Sequence, residues 1–360
     1  MKFVIANDSF KGTMDQIEAS ELIAKRIEKH GHKAVQKPMS DGGDGLLKCV
    51  GPEYRSVTAA VVGPEGLSVK ATYKIFKKTA IIESAEACGI HLLTESLPGE
   101  RTTFGVGELI LHAVSEGAET IIIGLGGSAT SDGGYGLFKA LGGSAVDSES
   151  TPVLSLNKHI DLINRIDSRT LVDLSKIEII IASDVNNPLL GESGAVRVFG
   201  PQKGISGNKL NIFEGRLKKL HEKMMRAGFE DFSTSPGAGA AGGLGWMLMT
   251  LGAEIKPGGP LIAELIGLEA SISNADYVMT GEGKSDAQTM DGKVPSVVLE
   301  LCQKHSVPCI LLSGQIHSGF EGEFHHVYGL VDDDYDAETV MSNTSRHLVR
   351  KTDQILSDII

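Results

Sequence analysis

Five times along this chain a short strand-like run passes straight into glycine, serine or aspartate. The runs close near Ile5, Lys37, Ile123, Ala182 and Met279, and Cys309–Leu312 ends in the same way at Ser313-Gly314. Continuous apolar stretches such as Thr120–Ile123 and Ile177–Ala182 suit parallel strands covered on both faces. Between them lie segments of helical spacing. Met14–Lys29 carries Ile17, Leu22, Ile23 and Ile27, and Val106–Ser115 and Tyr135–Leu141 follow the same rule. Shorter strands are expected at Val57–Val62, Val69–Phe76 and Ala80–Glu83. The alternation predicts an α/β fold. Open α/β sheets bind ligands beyond the carboxyl ends of their strands, so a site is expected on these loops.

Glycine supplies much of that loop material. There are 44 glycines in 360 residues, about 12% against a usual share of about 7%. Half of them, 22, fall in the windows 41–45, 124–143, 237–259 and 281–292, which together span 60 residues. No G-X-Y period exists, which excludes collagen, and apolar runs interrupt every window, which excludes a flexible linker. With 34 Lys and Arg against 46 Asp and Glu, the net charge is −12. No basic run is present, so neither nucleic acid nor an anionic membrane surface is an expected partner. Cys49, Cys88, Cys302 and Cys309 form no C-x-x-C pair and are expected as reduced, buried thiols. The opening MKFVIANDS suits a strand and not a signal peptide, and no run is long enough to span a membrane, so a cytoplasmic protein is expected.

Two motif matches lead nowhere. Gly237-Ala-Gly239-Ala-Ala-Gly242 fits G-x-G-x-x-G, but the preceding Phe232–Pro236 is no buried strand; Gly283-Lys284-Ser285 lacks the first glycine of a P-loop. The window Gly237–Gly245 is read instead as a loop entering a helix at Leu244–Leu251. His325-His326 is read as a strand-end pair, not a zinc site, and acidic Asp332–Asp336 as a solvated loop. Gly124–Gly134, with the sequence GLGGSATSDGG, is different: it follows a buried strand and precedes a helix, and can aim bare N–H groups and hydroxyls at an anion. Four other loops carry charge: Asp8-Ser9-Phe10-Lys11; Asp41 and Asp44; Asp184 with Asn186; and Glu282, Asp286 and Lys293. Carboxylates suit Mg²⁺, lysines suit phosphate, and phosphoryl transfer needs both beside a close backbone approach.

These segments resemble the bacterial type I glycerate kinases nearly end to end. The matching stretches are Asp8–Lys11, Pro38–Gly45, Gly107–Ile110, Gly124–Gly136, Asp184–Leu189, Phe199–Gly204, Pro236–Gly245 and Thr280–Gln288 with Gly292-Lys293. The resemblance implies ATP-dependent phosphorylation of D-glycerate with Mg²⁺, with 2-phosphoglycerate favoured over 3-phosphoglycerate; a kinase of another small hydroxy acid or sugar is the alternative. It implies two α/β domains with the active site in the cleft between them. One is a discontinuous Rossmann/flavodoxin-like domain built from 1–60 and 286–360; the other, 61–285, is inserted and carries the glycine loop. On this reading Asp184 is the first choice of catalytic base and Asp286 the second, and Lys293 neutralises the transferred phosphoryl group. Lys11 and Arg101 are candidates for the glycerate carboxylate. Ser9, Gly126, Gly127, Ser128, Ala129, Thr130, Asp132, Gly133, Asn186, Gly281, Glu282 and Gly283 complete the expected substrate and phosphate contacts. Asp41 and Asp44 are the candidates for Mg²⁺. Ser131 stands where the family usually has Asn, Lys284 where Arg is common, and Thr103-Phe-Gly-Val106 replaces a more polar pattern. A homo-oligomer is left open.

Overall fold

The computed structural model describes residues 1–10, 12–154, 160–317 and 322–360. The chain divides into two compact units, Met1–Gly51 with Pro257–Ile360, and Pro52–Lys256. The inserted unit thus begins at 52 where 61 was expected, and it ends at 256 where 285 was expected. The physical reason is strand pairing. Tyr277–Gly281 is bonded in parallel to Lys2–Asn7 on one side and to Cys309–Ser313 on the other, which makes it an interior strand of the discontinuous unit. Arg55–Val62 pairs along its length with Ser68–Phe76, in the other sheet.

The discontinuous unit holds a five-stranded parallel sheet in the spatial order His326–Gly329, Cys309–Ser313, Tyr277–Gly281, Lys2–Asn7, Lys33–Gln36. Numbered within the unit, that is the doubly wound order 2-1-3-4-5, which reverses between Lys2–Asn7 and Tyr277–Gly281. Phe3, Ile5, Ile310 and Leu312 are buried on these strands, each side chain contributing about 1.5–3 kcal/mol by leaving water. Helix Gln16–Lys29 starts where Asp15 accepts the N–H groups of Ile17 and Glu18, and it buries Ala19, Ile23, Ala24 and Ile27. It packs against helix Thr344–Ile359, where Arg26 grips Asp353 through Nε (2.7 Å) and Nη2 (2.6 Å). Asp332 departs from the solvated loop expected of it: Arg350 and Lys351 donate to its carboxylate at 2.7 and 2.8 Å, and hold its pKa well below the usual carboxylate range against the effect of burial.

The inserted unit carries a six-stranded mixed sheet in the order Glu254–Lys256, Glu178–Ala182, Thr120–Gly124, Thr79–Glu83, Ser68–Phe76, Arg55–Val62. The first four strands run parallel and the last two extend the sheet as an antiparallel meander. Its core joins Ile121, Ile123, Ile179 and Ile181 to Leu137, Phe138, Leu244, Trp246 and Met247. All four cysteines are buried, and none forms a disulfide. Among the described residues no helix is long and apolar enough to cross a membrane.

Candidate active site

In the inserted unit Glu83, Gly124 and Ala182 stand at one level of register, so the loops that follow their strands gather at one edge of the sheet. The loop 125–134 takes its shape from within. Gly127, Gly133 and Gly134 have φ of +61°, +62° and +73°, which favours glycine at each. Asp132, 3% exposed, turns inward and accepts the N–H of Thr103 (2.9 Å), Gly134 (3.1 Å) and Gly136 (3.1 Å) and the Thr103 hydroxyl (3.0 Å). Burial pushes its pKa up, and these hydrogen bonds pull the other way. Expected as a substrate contact, Asp132 is placed as the clasp that joins the loop to helices Phe104–Ser115 and Tyr135–Ala140.

Two cations are buried against the same loop. Arg101, 9% exposed, donates from Nη1 to the carbonyls of Lys203 (2.8 Å) and Ala129 (3.2 Å), and from Nη2 to the Ser96 carbonyl (3.0 Å). With Nε also donating to Ser96 Oγ at 3.3 Å, its guanidinium braces this loop, where a carboxylate receptor was expected. Lys203, 4% exposed, donates to Ser128 Oγ at 2.9 Å and to the Thr130 carbonyl at 2.7 Å. Burial pulls its ammonium down to about 8 and pushes the neighbouring Cys88 thiol up to about 12. Gly126 and Gly127 are half-buried, whereas Ser128 through Gly134 are buried.

The glycine window 237–245 is the other face of this loop. Ala241, Gly242 and Gly243 form a left-handed turn with φ of +52°, +70° and +92°. A Cβ on Gly242 would stand 2.1 Å from the Thr130 carbonyl oxygen, and one on Gly134 would stand 2.4 Å from Met247 Cβ. Gly133 N–H donates to the Gly242 carbonyl at 3.1 Å. Two of the four glycine windows are thus one backbone-to-backbone contact. Asp184 and Asn186 lie exposed on the loop after Glu178–Ala182, where Val185 N–H donates to Ser183 Oγ at 3.2 Å.

In the discontinuous unit the reversal of strand order falls where Asn7 faces Gly281. Asp8 N–H donates to the Gly281 carbonyl at 2.9 Å, and Ser9 N–H to Asp8 Oδ1 at 2.6 Å. Lys11 lies outside the described residues. A Cβ on Gly281 would stand 1.8 Å from the Leu312 carbonyl oxygen, and one on Gly314 would stand 2.4 Å from the Gly283 carbonyl oxygen. These glycines let the two loops run together, and Lys284–Ser285 pairs in parallel with Gln315–Ile316. Glu282, 8% exposed, accepts the hydroxyls of Thr289 (2.7 Å) and Ser285 (3.0 Å). Burial raises its pKa, opposed by Thr289 and by Lys293. Lys293 Nζ stands 3.8 Å from Glu282 and 3.9 Å from Asp286, and Lys284 Nζ stands 3.8 Å from Asp286. Asp286 caps the turn Ala287–Met290 by accepting Gln288 N–H. Asp41 Oδ1 accepts Gly43 N–H at 2.9 Å in a local turn, and Asp44 is exposed. Among the described residues no group of three or more His, Cys, Asp or Glu is arranged to hold a metal.

The structure therefore brings Glu282, Asp286 and Lys293 together, as their spacing suggested. It sets Arg101 beside the glycine loop in an altered role. Lys203, Thr103, Ser285 and Thr289 are not among the site residues expected from the sequence. The signal for Lys203 was its place in Phe199–Gly204: the turn Pro201–Lys203 ends at Gly204 with φ +81° and leaves the lysine buried.

The family model described as the glycerate kinase family matches residues 3–360. The chain is 35% identical to glycerate kinase of Bacillus subtilis, with 100% of this chain and 98% of that protein covered. It is 39% identical to glycerate 2-kinase of Escherichia coli, with 88% and 86% covered. A crystal structure of the Salmonella typhimurium LT2 protein assigned as glycerate kinase 2 superposes with a TM-score of 0.84 at 32% identity, covering 100% of this chain and 98% of that one.

Proposed function

We propose, because the chain belongs to the glycerate kinase family, that it transfers the terminal phosphoryl group of ATP to D-glycerate and releases 2-phosphoglycerate. The observation that carries this reading is the family match across residues 3–360. The choice of the 2-hydroxyl is supported by the name of the Escherichia coli relative, glycerate 2-kinase.

Phosphoryl transfer asks a protein for positioning and charge neutralisation more than for covalent chemistry. In the inserted unit, the loop from Gly126 to Gly133 supplies main-chain N–H groups for an anionic group of a substrate. In the discontinuous unit, Lys293 supplies positive charge for the transferred group, held in place by Glu282 and Asp286. Lys11 receives the carboxylate of glycerate, and Ser9 and Asn186 offer further polar contacts. Asp184, exposed at the end of its strand, accepts the proton of the attacked hydroxyl. Asp286 is second choice, because its carboxylate already caps a turn and faces two lysines. Asp41 and Asp44 offer the hard oxygen donors that a nucleotide-bound Mg²⁺ takes in ones and twos; that ion would offset phosphate charge. ATP consumption in the presence of D-glycerate, with the product identified by phosphorus NMR, tests the reading. Absence of D-glycerate-dependent ATP consumption, or a signal for 3-phosphoglycerate alone, overturns its substrate or its position.

A further inference from the structure

Three consecutive residues of the glycine loop are gripped by the buried cations. Lys203 Nζ holds Ser128 Oγ and the Thr130 carbonyl, and Arg101 Nη1 holds the Ala129 carbonyl between them. Burying two cations is costly unless they are paired and hydrogen-bonded. The charged and titratable groups that face Lys203 are Asp132, Cys88 and Arg101, and Asp132 is itself engaged by four donors from Thr103, Gly134 and Gly136. Such an expense is not needed to close a turn whose glycines already allow it.

Peptide geometry shows what the grip does. The chain has no cis peptide bond among the described residues, and in a trans peptide the carbonyl and the following N–H point in opposite directions. Fixing the carbonyls of Ala129 and Thr130 on the cations turns the N–H groups of Thr130 and Ser131 the other way. Among the described residues neither N–H has an acceptor, and Ser131 Oγ, on a side chain 2% exposed, has no hydrogen-bond partner. Buried donors are rarely left unspent. Thr130 and Ser84 differ, since their hydroxyls lie by the Cys88 sulfur, a weak partner outside ordinary hydrogen-bond geometry.

We propose that Lys203 is a positioning residue: with Arg101 it holds the Ser128–Thr130 segment so that the N–H groups of Thr130 and Ser131 and the hydroxyl of Ser131 meet an anionic group of the substrate. This rests on the reading of the loop as an anion site. Lys203 acts through the loop and does not touch the anion.

Trp246, the single tryptophan, reports on this place, because its ring lies 3.9 Å from a Cβ built on Gly133. Its emission is titrated with inorganic phosphate at pH 7 in wild type, Lys203→Met and Lys203→Arg. Lys203→Met is expected to weaken phosphate binding at least about tenfold, the scale of losing hydrogen bonds to a charged group, and Lys203→Arg to recover it to within about fivefold. Since burial brings Lys203 down to about 8, wild-type phosphate binding and kcat/KM are expected to decline above that pH. The decline moves up by more than one pH unit in Lys203→Arg, whose guanidinium keeps its charge. No saturable response in wild type, wild-type affinity in a folded Lys203→Met, or an unmoved alkaline limb in Lys203→Arg overturns the proposal. If Lys203→Met fails to fold, the pH series of the other two proteins decides it. Wild-type enzyme that binds phosphate yet consumes no ATP with D-glycerate overturns the proposed reaction and leaves this inference standing.

Discussion

Glu282 is buried with both carboxylate oxygens engaged: hydroxyls of Ser285 and Thr289 reach one, and Lys293 stands near the other. Burial, the chief cause, raises its pKa above the ordinary 4.5 of a glutamate. Between 4.5 and that raised value the folded chain binds more protons here than the unfolded chain does. Stability from this group therefore falls as pH rises through the window, and is level on either side. Glu282→Gln keeps an acceptor for both hydroxyls and removes the titration. Urea unfolding of both proteins from pH 4.5 to 7.5 is expected to show the variant gaining on wild type as pH rises; parallel curves would count against a raised pKa. Asp184, the proposed general base, is instead an exposed side chain just beyond a strand end. Asp184→Ala is expected to lower kcat by about 10²–10⁴, the usual cost of losing a positioned general base. Turnover within about threefold of wild type would remove it from that role.

At the scale of elements, the glycine-rich turn at 241–243 matters as much as the loop it supports. Gly242→Ala places a side chain at φ +70° and 2.1 Å from the Thr130 carbonyl oxygen. Gly228→Ala has φ +88° with nothing within 4 Å, so it meets the backbone penalty alone, about 1–2 kcal/mol. Gly242→Ala must add displacement of the loop, and a loss above about 3 kcal/mol is expected from overpacking a filled interior. Equal shifts of the two denaturation midpoints would mean that the contact gives way freely. This element also marks the boundary of what the sequence discloses. Apolar runs such as Thr120–Ile123 and Cys309–Leu312 named their own strands, because burial on both faces leaves a local trace. The turn at Gly242 was legible only as glycine, since its reason is Thr130, 112 residues earlier. Distance along the chain also hid Lys203, whose partners Ser128 and Thr130 lie 75 and 73 residues earlier. By contrast Glu282, Asp286 and Lys293 lie within a dozen residues, and their grouping could be read from spacing.

For the whole molecule, the decisive fact is that Lys2–Asn7 is an interior strand, paired on one side with Lys33–Gln36 and on the other with a strand that arrives only at Tyr277. The discontinuous unit cannot complete its sheet until the far end of the chain is present. The inserted unit, Pro52–Lys256, has its own six-stranded sheet and its own core around Phe138, Leu244 and Trp246. Its contacts close within one continuous stretch of chain, as an independently folding domain requires. A fragment of residues 52–256 is therefore expected to fold cooperatively, with native-like emission from Trp246. A fragment of 257–360 would leave Tyr277–Gly281 with an unpaired, apolar edge where Lys2–Asn7 belongs, and exposed edges of that kind invite aggregation. It is expected to stay unfolded or aggregate until a peptide of residues 1–51 is supplied. Circular dichroism and denaturant titration of the two fragments, with and without that peptide, measure this directly. Cooperative unfolding of 257–360 by itself would show that the strand from the amino terminus is an addition to a sheet already stable, and that the two-ended construction is not required for this unit to fold.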